Sequence, residues 1–127
     1  MRKSLIVGMA AFGLGFSLFV TAPSARAADE KEIKGVLIDS HCAANMMKKD
    51  EPEQAAAKHK KACAEKCVKG GADLEIISGK TEYKLDEASA KKAKDYLDNN
   101  KSMKVTVKGE EKDGKLAITS IEPQEEK

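Results

Sequence analysis

Hydrophobic and polar positions divide the chain into segments of different period. Residues 5–20 (LIVGMAAFGLGFSLFV) form one uncharged, mostly apolar run. Ile33–Asp39 (IKGVLID) is β-rich with partial alternation, which predicts a strand. The next ten residues, Ser40–Lys49, carry too little periodicity for more than a loop and a helical turn. From Asp50 the pattern turns helical. Asp50 is placed to cap, Glu53 follows at capping-box spacing, Pro52 fits a first turn, and alanines and lysines continue to about Val68. Gly70 and Gly71 then stop the helix. At about 100° per residue, Ala56, His59, Cys63 and Cys67 share one face, and Lys58, Lys61, Glu65 and Lys69 lie roughly opposite. The apolar stripe is thus alanine and cysteine rather than leucine, which suits close approach more than bulk burial.

Beyond Gly71 the period changes to two. DLEIIS and TEYKL read as strands around a turn at Gly79-Lys80. Asp86 caps a helix from about Glu87 to Leu97, with Asn99 and Asn100 suited to a left-handed terminus. Met103, Val105 and Val107 alternate with lysine and threonine, Asp113-Gly114 makes a hairpin turn, and Leu116 and Ile118 alternate in return. With the helical insert (about residues 43–69) set aside, the order is three strands, a helix and two strands. That order predicts an α+β domain, mainly β, built as a five-stranded OB-like barrel. The insert lies between strands 1 and 2, in one of the connections such barrels use for ligands, and a helix joins strands 3 and 4.

The apolar run at the start changes the bookkeeping. Arg2 and Lys3 precede it, and Ala25-Arg26-Ala27 after it fits a small-residue cleavage site, the layout of a secretory signal peptide over residues 1–27. The run is short for a membrane span, which needs about 20 residues. Residues 28–127 then form one exported domain, periplasmic or secreted in a bacterium, with no membrane attachment after cleavage. Removing the leader takes Arg2, Lys3 and Arg26 and no acid. The surplus of 23 basic over 21 acidic residues therefore becomes a deficit of one. All three Phe leave with it; Tyr83 and Tyr96 are the aromatics that remain, read as core or barrel-edge residues. With neither a basic groove nor stacking platforms, nucleic acid is excluded as a partner. KHKK and KKAK read as solvated helix faces among nearby acids.

Three cysteines in an exported domain with a thin core raise three readings. A disulfide from Cys42 to Cys63 or Cys67 would close a loop of about 20–25 residues and stabilise by roughly 3 kcal/mol. Cys63 and Cys67, one turn apart on a helix, have near-parallel Cβ vectors and would strain a bridge between them. A metal site would use Cys42, Cys63 and Cys67 as thiolates for a soft ion, Cu(I) or Zn(II). On a continuous helix His59 stands about 12 Å along the axis from Cys67, so one ion does not hold both easily; His41, beside Cys42, is the alternative nitrogen ligand. Met46 and Met47 offer thioether sulfur for Cu(I), or simply fill a core gap. Thiol-redox chemistry is the weakest reading, since no C-x-x-C is present, and no residue set points to an enzyme.

The motifs Asp39-Ser40-His41-Cys42, CAEKCVKGG (63–71), GKTEYKL (79–85) and KVTVKG (104–109) together resemble a widespread family of small exported bacterial proteins of unknown function. Its layout is D-x-x-C, then C-x-x-x-C-V-x-x-G, a G-K-x-Y-x-L hairpin and a K-V-T-V-x-G strand; the hairpin here is one residue longer than the pattern. The resemblance spans nearly all of residues 28–127. It implies export and an OB-type barrel, and it adds Asp39 to the residues of interest. The function expected is a non-enzymatic binding module whose cysteine cluster holds Cu(I) or Zn(II) or is stapled by one disulfide. The alternative is a disulfide-stabilised structural domain that docks an unknown protein partner.

Overall fold

The computed structural model describes residues 30–125; the expected leader lies outside them. The elements run β1 (Lys31–Asp39), α1 (Ser40–Met46), α2 (Pro52–Ala57), α3 (Lys61–Lys69), β2 (Leu74–Ser78), β3 (Thr81–Leu85), α4 (Glu87–Asn99), β4 (Lys104–Lys112) and β5 (Lys115–Pro123). This is a mixed α+β chain. Its five strands form one sheet that closes into a ring in the order β1-β2-β3-β5-β4, with β4 returning to β1. Among the described residues no helix is long and apolar enough to cross a membrane.

The ring closes because β1 serves two neighbours. Its first part pairs with β4 from Lys31↔Gly109 to Val36↔Lys104, and its last part pairs with β2 from Val36↔Ile77 to Asp39↔Leu74. The hand-over falls next to Gly35. A Cβ there would strike the carbonyl oxygen of Ile77, so the close approach of the two backbones requires glycine. Past Gly35 the strand stops alternating: Val36, Leu37, Ile38 and Asp39 are all buried. One face of this stretch looks into the ring, and α2 and α3 pack against the strand from outside. A strand covered on both faces reads as a continuous apolar run, which explains the imperfect alternation in its sequence.

Strands β4 and β5 follow their period in the stretches that face the core, whereas β2, like the end of β1, is buried at four consecutive positions, Leu74 to Ile77. Val105, Val107, Leu116 and Ile118 join Leu37, Ile38, Ile76 and Ile77 in the core. The β4–β5 hairpin turns at Asp113 and Gly114, both at positive φ (51° and 75°), the signature of a type I′ turn. The ring is weakest at β3–β5, a parallel contact of two pairs, Lys84↔Lys115 and Leu85↔Leu116. Helix α4 covers that region. Its Leu97, Ala93 and Tyr96 are buried, Ser89 Oγ accepts from the Ile118 N–H at 2.6 Å, and Lys92 Nζ donates to the Ile118 carbonyl at 3.0 Å.

Asp86 caps α4 as expected, accepting from Ser89 N–H at 2.8 Å. The other end differs from expectation. Asn100 is extended (φ −123°, ψ 150°) rather than left-handed. The Asn99 and Asn100 side-chain amides instead donate to the carbonyls of Asp95 and Tyr96, which relieves the last turn without a backbone reversal. The segment after Asp39 is more helical than its periodicity suggests, because Asp39 caps it. The long helix expected from Asp50 is two helices. Glu51, not Asp50, is the N-cap of α2, and it makes no side-chain cap bond. Glu53 does not close a capping box; its Oε2 accepts from the Gly79 N–H at 2.6 Å, tying the insert to the β2–β3 turn.

Besides Asp39, at the end of β1, one more acidic side chain on a strand is buried. Glu75 on β2 neighbours Lys84 on β3, with Glu82 two positions away on the same strand. Burial first, then the hydrogen bond and charge of Glu82, push Glu75 up from 4.5 to about 7. An acid raised in the folded state favours folding while protonated. Its contribution is present below pH 4.5 and is lost as pH rises through about 7. Two outcomes are expected in urea unfolding of residues 28–127. Gly35→Ala lowers stability by about 2 kcal/mol, since the obstructing atom is backbone. Glu75→Gln removes the decline in stability that wild type shows from about pH 5 to 8.

Candidate metal centre

The site begins with the last residue of β1. Asp39 is fully buried, and its Oδ1 accepts from the Cys42 N–H at 3.0 Å, the bond of an N-cap to the third residue of its helix. The D-x-x-C motif is therefore one structural unit: the aspartate that starts the turn fixes the cysteine above it. The Ser40 N–H donates to the Asp73 carbonyl at 2.9 Å, which holds the start of α1 against the start of β2.

His59 arrives through the break between α2 and α3. The helical bonding tightens there, with His59 N–H donating to the Ala56 carbonyl at 2.9 Å, and Lys60 is extended (φ −80°, ψ 134°). Lys58 and Lys61 would stand three residues apart and repel on a continuous helix, and an alanine face gives it little burial to offset that. The break turns His59 toward Asp39 and Cys42, while Cys67, as expected from its distance along the helix, is not in the same ligand set as His59. The His59 side chain is 12% exposed, and its Nε2 lies 3.2 Å from Asp39 Oδ2. Despite that distance the two atoms do not meet at hydrogen-bonding angles. Asp39 Oδ2 and His59 Nε2 are buried without a hydrogen-bond partner.

Cys67 comes from the end of α3, where the chain leaves the helix in a Schellman arrangement. Ala72 N–H donates to the Cys67 carbonyl and Gly71 N–H to that of Val68, both at 3.0 Å, with Gly71 at φ 97°. The GG pair that stops the helix thus fixes the residue that carries the sulfur. The sulfurs of Cys42 and Cys67 both stand within 4.8 Å of the Asp39 carboxylate.

Ligand atoms of Asp39, Cys42 and His59 all lie within 4.8 Å of one another, and so do those of Asp39, His41 and Cys67. Asp39 is common to both sets. Of the residues singled out from sequence, the fold therefore gathers Asp39, His41, Cys42, His59 and Cys67. Cys63 joins neither set; it is exposed, at the edge of the α3 face whose buried residue is Ala64. All three cysteines are free thiols, and of the two partners expected for Cys42 it is Cys67 that shares its neighbour Asp39. Met46 and Met47 pack half-buried against the core, as gap-fillers do. The central role of Asp39 is not visible from cysteine and histidine spacing. Its signal is an aspartate three residues before a cysteine at the end of an apolar strand.

The electrostatics follow from this crowding. Burial, the Asp39 charge and hydrogen bond, and then Cys67 push the Cys42 thiol from 9.0 up to about 11. Burial and Asp39 likewise raise Cys67. A carboxylate and two sulfurs in contact cannot all carry negative charge without a cation among them. No family model, curated protein or solved structure matches the chain.

Metal-free protein is expected to show thiolate absorbance from Cys42 with a midpoint near 11, and Asp39→Asn, which keeps a capping oxygen, is expected to lower it. A thiol raised in the folded state stabilises below its unfolded value and loses that contribution as pH rises through the folded one. Chemical unfolding of the metal-free domain should therefore become easier between pH 9 and about 11.

Proposed function

We propose that this chain is an exported binding module, an OB-like barrel in which Asp39, Cys42, His59 and Cys67 hold one Zn(II) ion. The observation that carries the reading is the buried pair Asp39 Oδ2 and His59 Nε2, 3.2 Å apart and each without a hydrogen bond. Two buried polar atoms that face one another unsatisfied are costly, and a cation between them satisfies both. Cys42 shares a ligand set with that pair, and Cys67, from the second set around Asp39, is the fourth donor of the proposal; the thiol proton of each is the one a metal displaces.

The donor chemistry favours Zn(II) over Cu(I). Zinc accepts carboxylate, imidazole and thiolate in one tetrahedral set, whereas Cu(I) selects sulfur and gains little from a carboxylate. His41 is exposed and is the substitute nitrogen ligand rather than the first choice. The OB-like assignment is supported by the three-strand, helix, two-strand order and by the ring order of the sheet. The family resemblance and the leader support export.

Metal-free residues 28–127 titrated with Zn(II) against a competing chelator are expected to bind one ion and release protons, with affinity rising with pH. Asp39→Ala, Cys42→Ala, His59→Ala and Cys67→Ala should each weaken binding by about 100-fold or more, and Cys63→Ser should leave it unchanged. Binding that survives loss of Asp39 and Cys42, or no binding at all, refutes the assignment.

A further inference from the structure

We propose that Cys42 and Cys67 form a reversible disulfide and that this bond and the zinc ion exclude one another, so that metal holding is gated by thiol oxidation. The inference rests on the metal reading above and adds its regulation. Three observations carry it. The sulfurs of both cysteines lie within 4.8 Å of an Asp39 carboxylate oxygen, Cys42 in one of the two ligand sets around that residue and Cys67 in the other. They come from different helices, α1 and α3, so their approach is free of the parallel alignment that hinders a bridge between residues one turn apart. Both are half-buried at a surface that Cys63, one turn from Cys67, extends to solvent.

The same two sulfurs cannot serve both roles. As thiolates they supply half of the ligand set; as a disulfide they supply none of it, leaving Asp39, His59 and the exposed His41. The oxidant required is another disulfide of the glutathione class. Its S–S bond breaks and a Cys42 Sγ–Cys67 Sγ bond forms. Two electrons pass from the cysteine sulfurs to the oxidant, which leaves as two thiols after taking up two protons from water, while Zn(II) departs to solvent. A thiol reductant runs the step backwards and restores the donors. Cys63 stays outside the final bond.

The test uses zinc-loaded residues 28–127 treated with oxidised glutathione, with released zinc read by a chromogenic chelator and the protein by intact mass and peptide mapping. Zinc release in step with a loss of about 2 Da, one ion per disulfide, and a cross-linked pair containing Cys42 and Cys67 are expected. Cys63→Ser should do the same, and dithiothreitol with fresh zinc should reload the protein. A stable glutathione adduct, a bridge through Cys63, or an oxidised protein that keeps its zinc overturns the gate while leaving the metal reading intact. If the reduced chain takes up no zinc, both fall, and the peptide map then shows whether a plain Cys42–Cys67 staple remains.

Discussion

A carboxyl group with no exposed surface must be answered by its neighbours, and the architecture around Asp39 consists largely of those answers. One oxygen is satisfied by the backbone of Cys42, which starts α1. The other is approached by His59, and the sulfurs of Cys42 and Cys67 stand beside the carboxylate from two further segments. Helices α1 and α3 and the connection between α2 and α3 thus converge on the end of β1. The alanine-rich faces of α2 and α3 let them do so closely, with Ala43, Ala56 and Ala64 all fully buried. Larger apolar residues there would give more burial and hold the donors further apart.

The ring of strands supplies what this cluster lacks, a rigid floor. Asp39 sits where β1 has both faces covered and is paired with Leu74 of β2. Its position is inherited from Gly35, which lets the strand cross from one neighbour to the other. The insert is secured at its far side as well, by Glu53 on the β2–β3 turn. Asp39, Cys42 and Cys67 are thus held by a strand and two helices, a favourable basis for fixed geometry, with His59 set by the short connection between α2 and α3.

Most of the fold was legible because β4 and β5 obey a period of two, β2 reads as a short β-rich run, and the turns carry Asp-Gly or Gly at the required positions. What was not legible depends on contacts across the chain. The break at Lys58–Lys60 interrupts a pattern that reads as one helix, and it is what brings His59 to Asp39. Glu53 stands at capping-box spacing but is taken by a turn 26 residues away. Cys63 and Cys67 look equivalent on a helical projection; only packing through Ala64 and the Schellman exit separates a sulfur in the cluster from one in solvent. Local spacing records which residues share a face, not which face the rest of the molecule covers.

The pairing of Asp39 with Leu74 has one more consequence. A slip of β1 against β2 by two residues would keep every side chain on its own face, so hydrophobic burial alone discriminates poorly against it. It would, however, carry Asp39 about 7 Å along the sheet relative to the segment that ends at Cys67. Capped carboxyl, imidazole and paired sulfurs would no longer meet. The polar cluster therefore acts as a vernier for the sheet, marking the one alignment of its first two strands at which all the donors coincide.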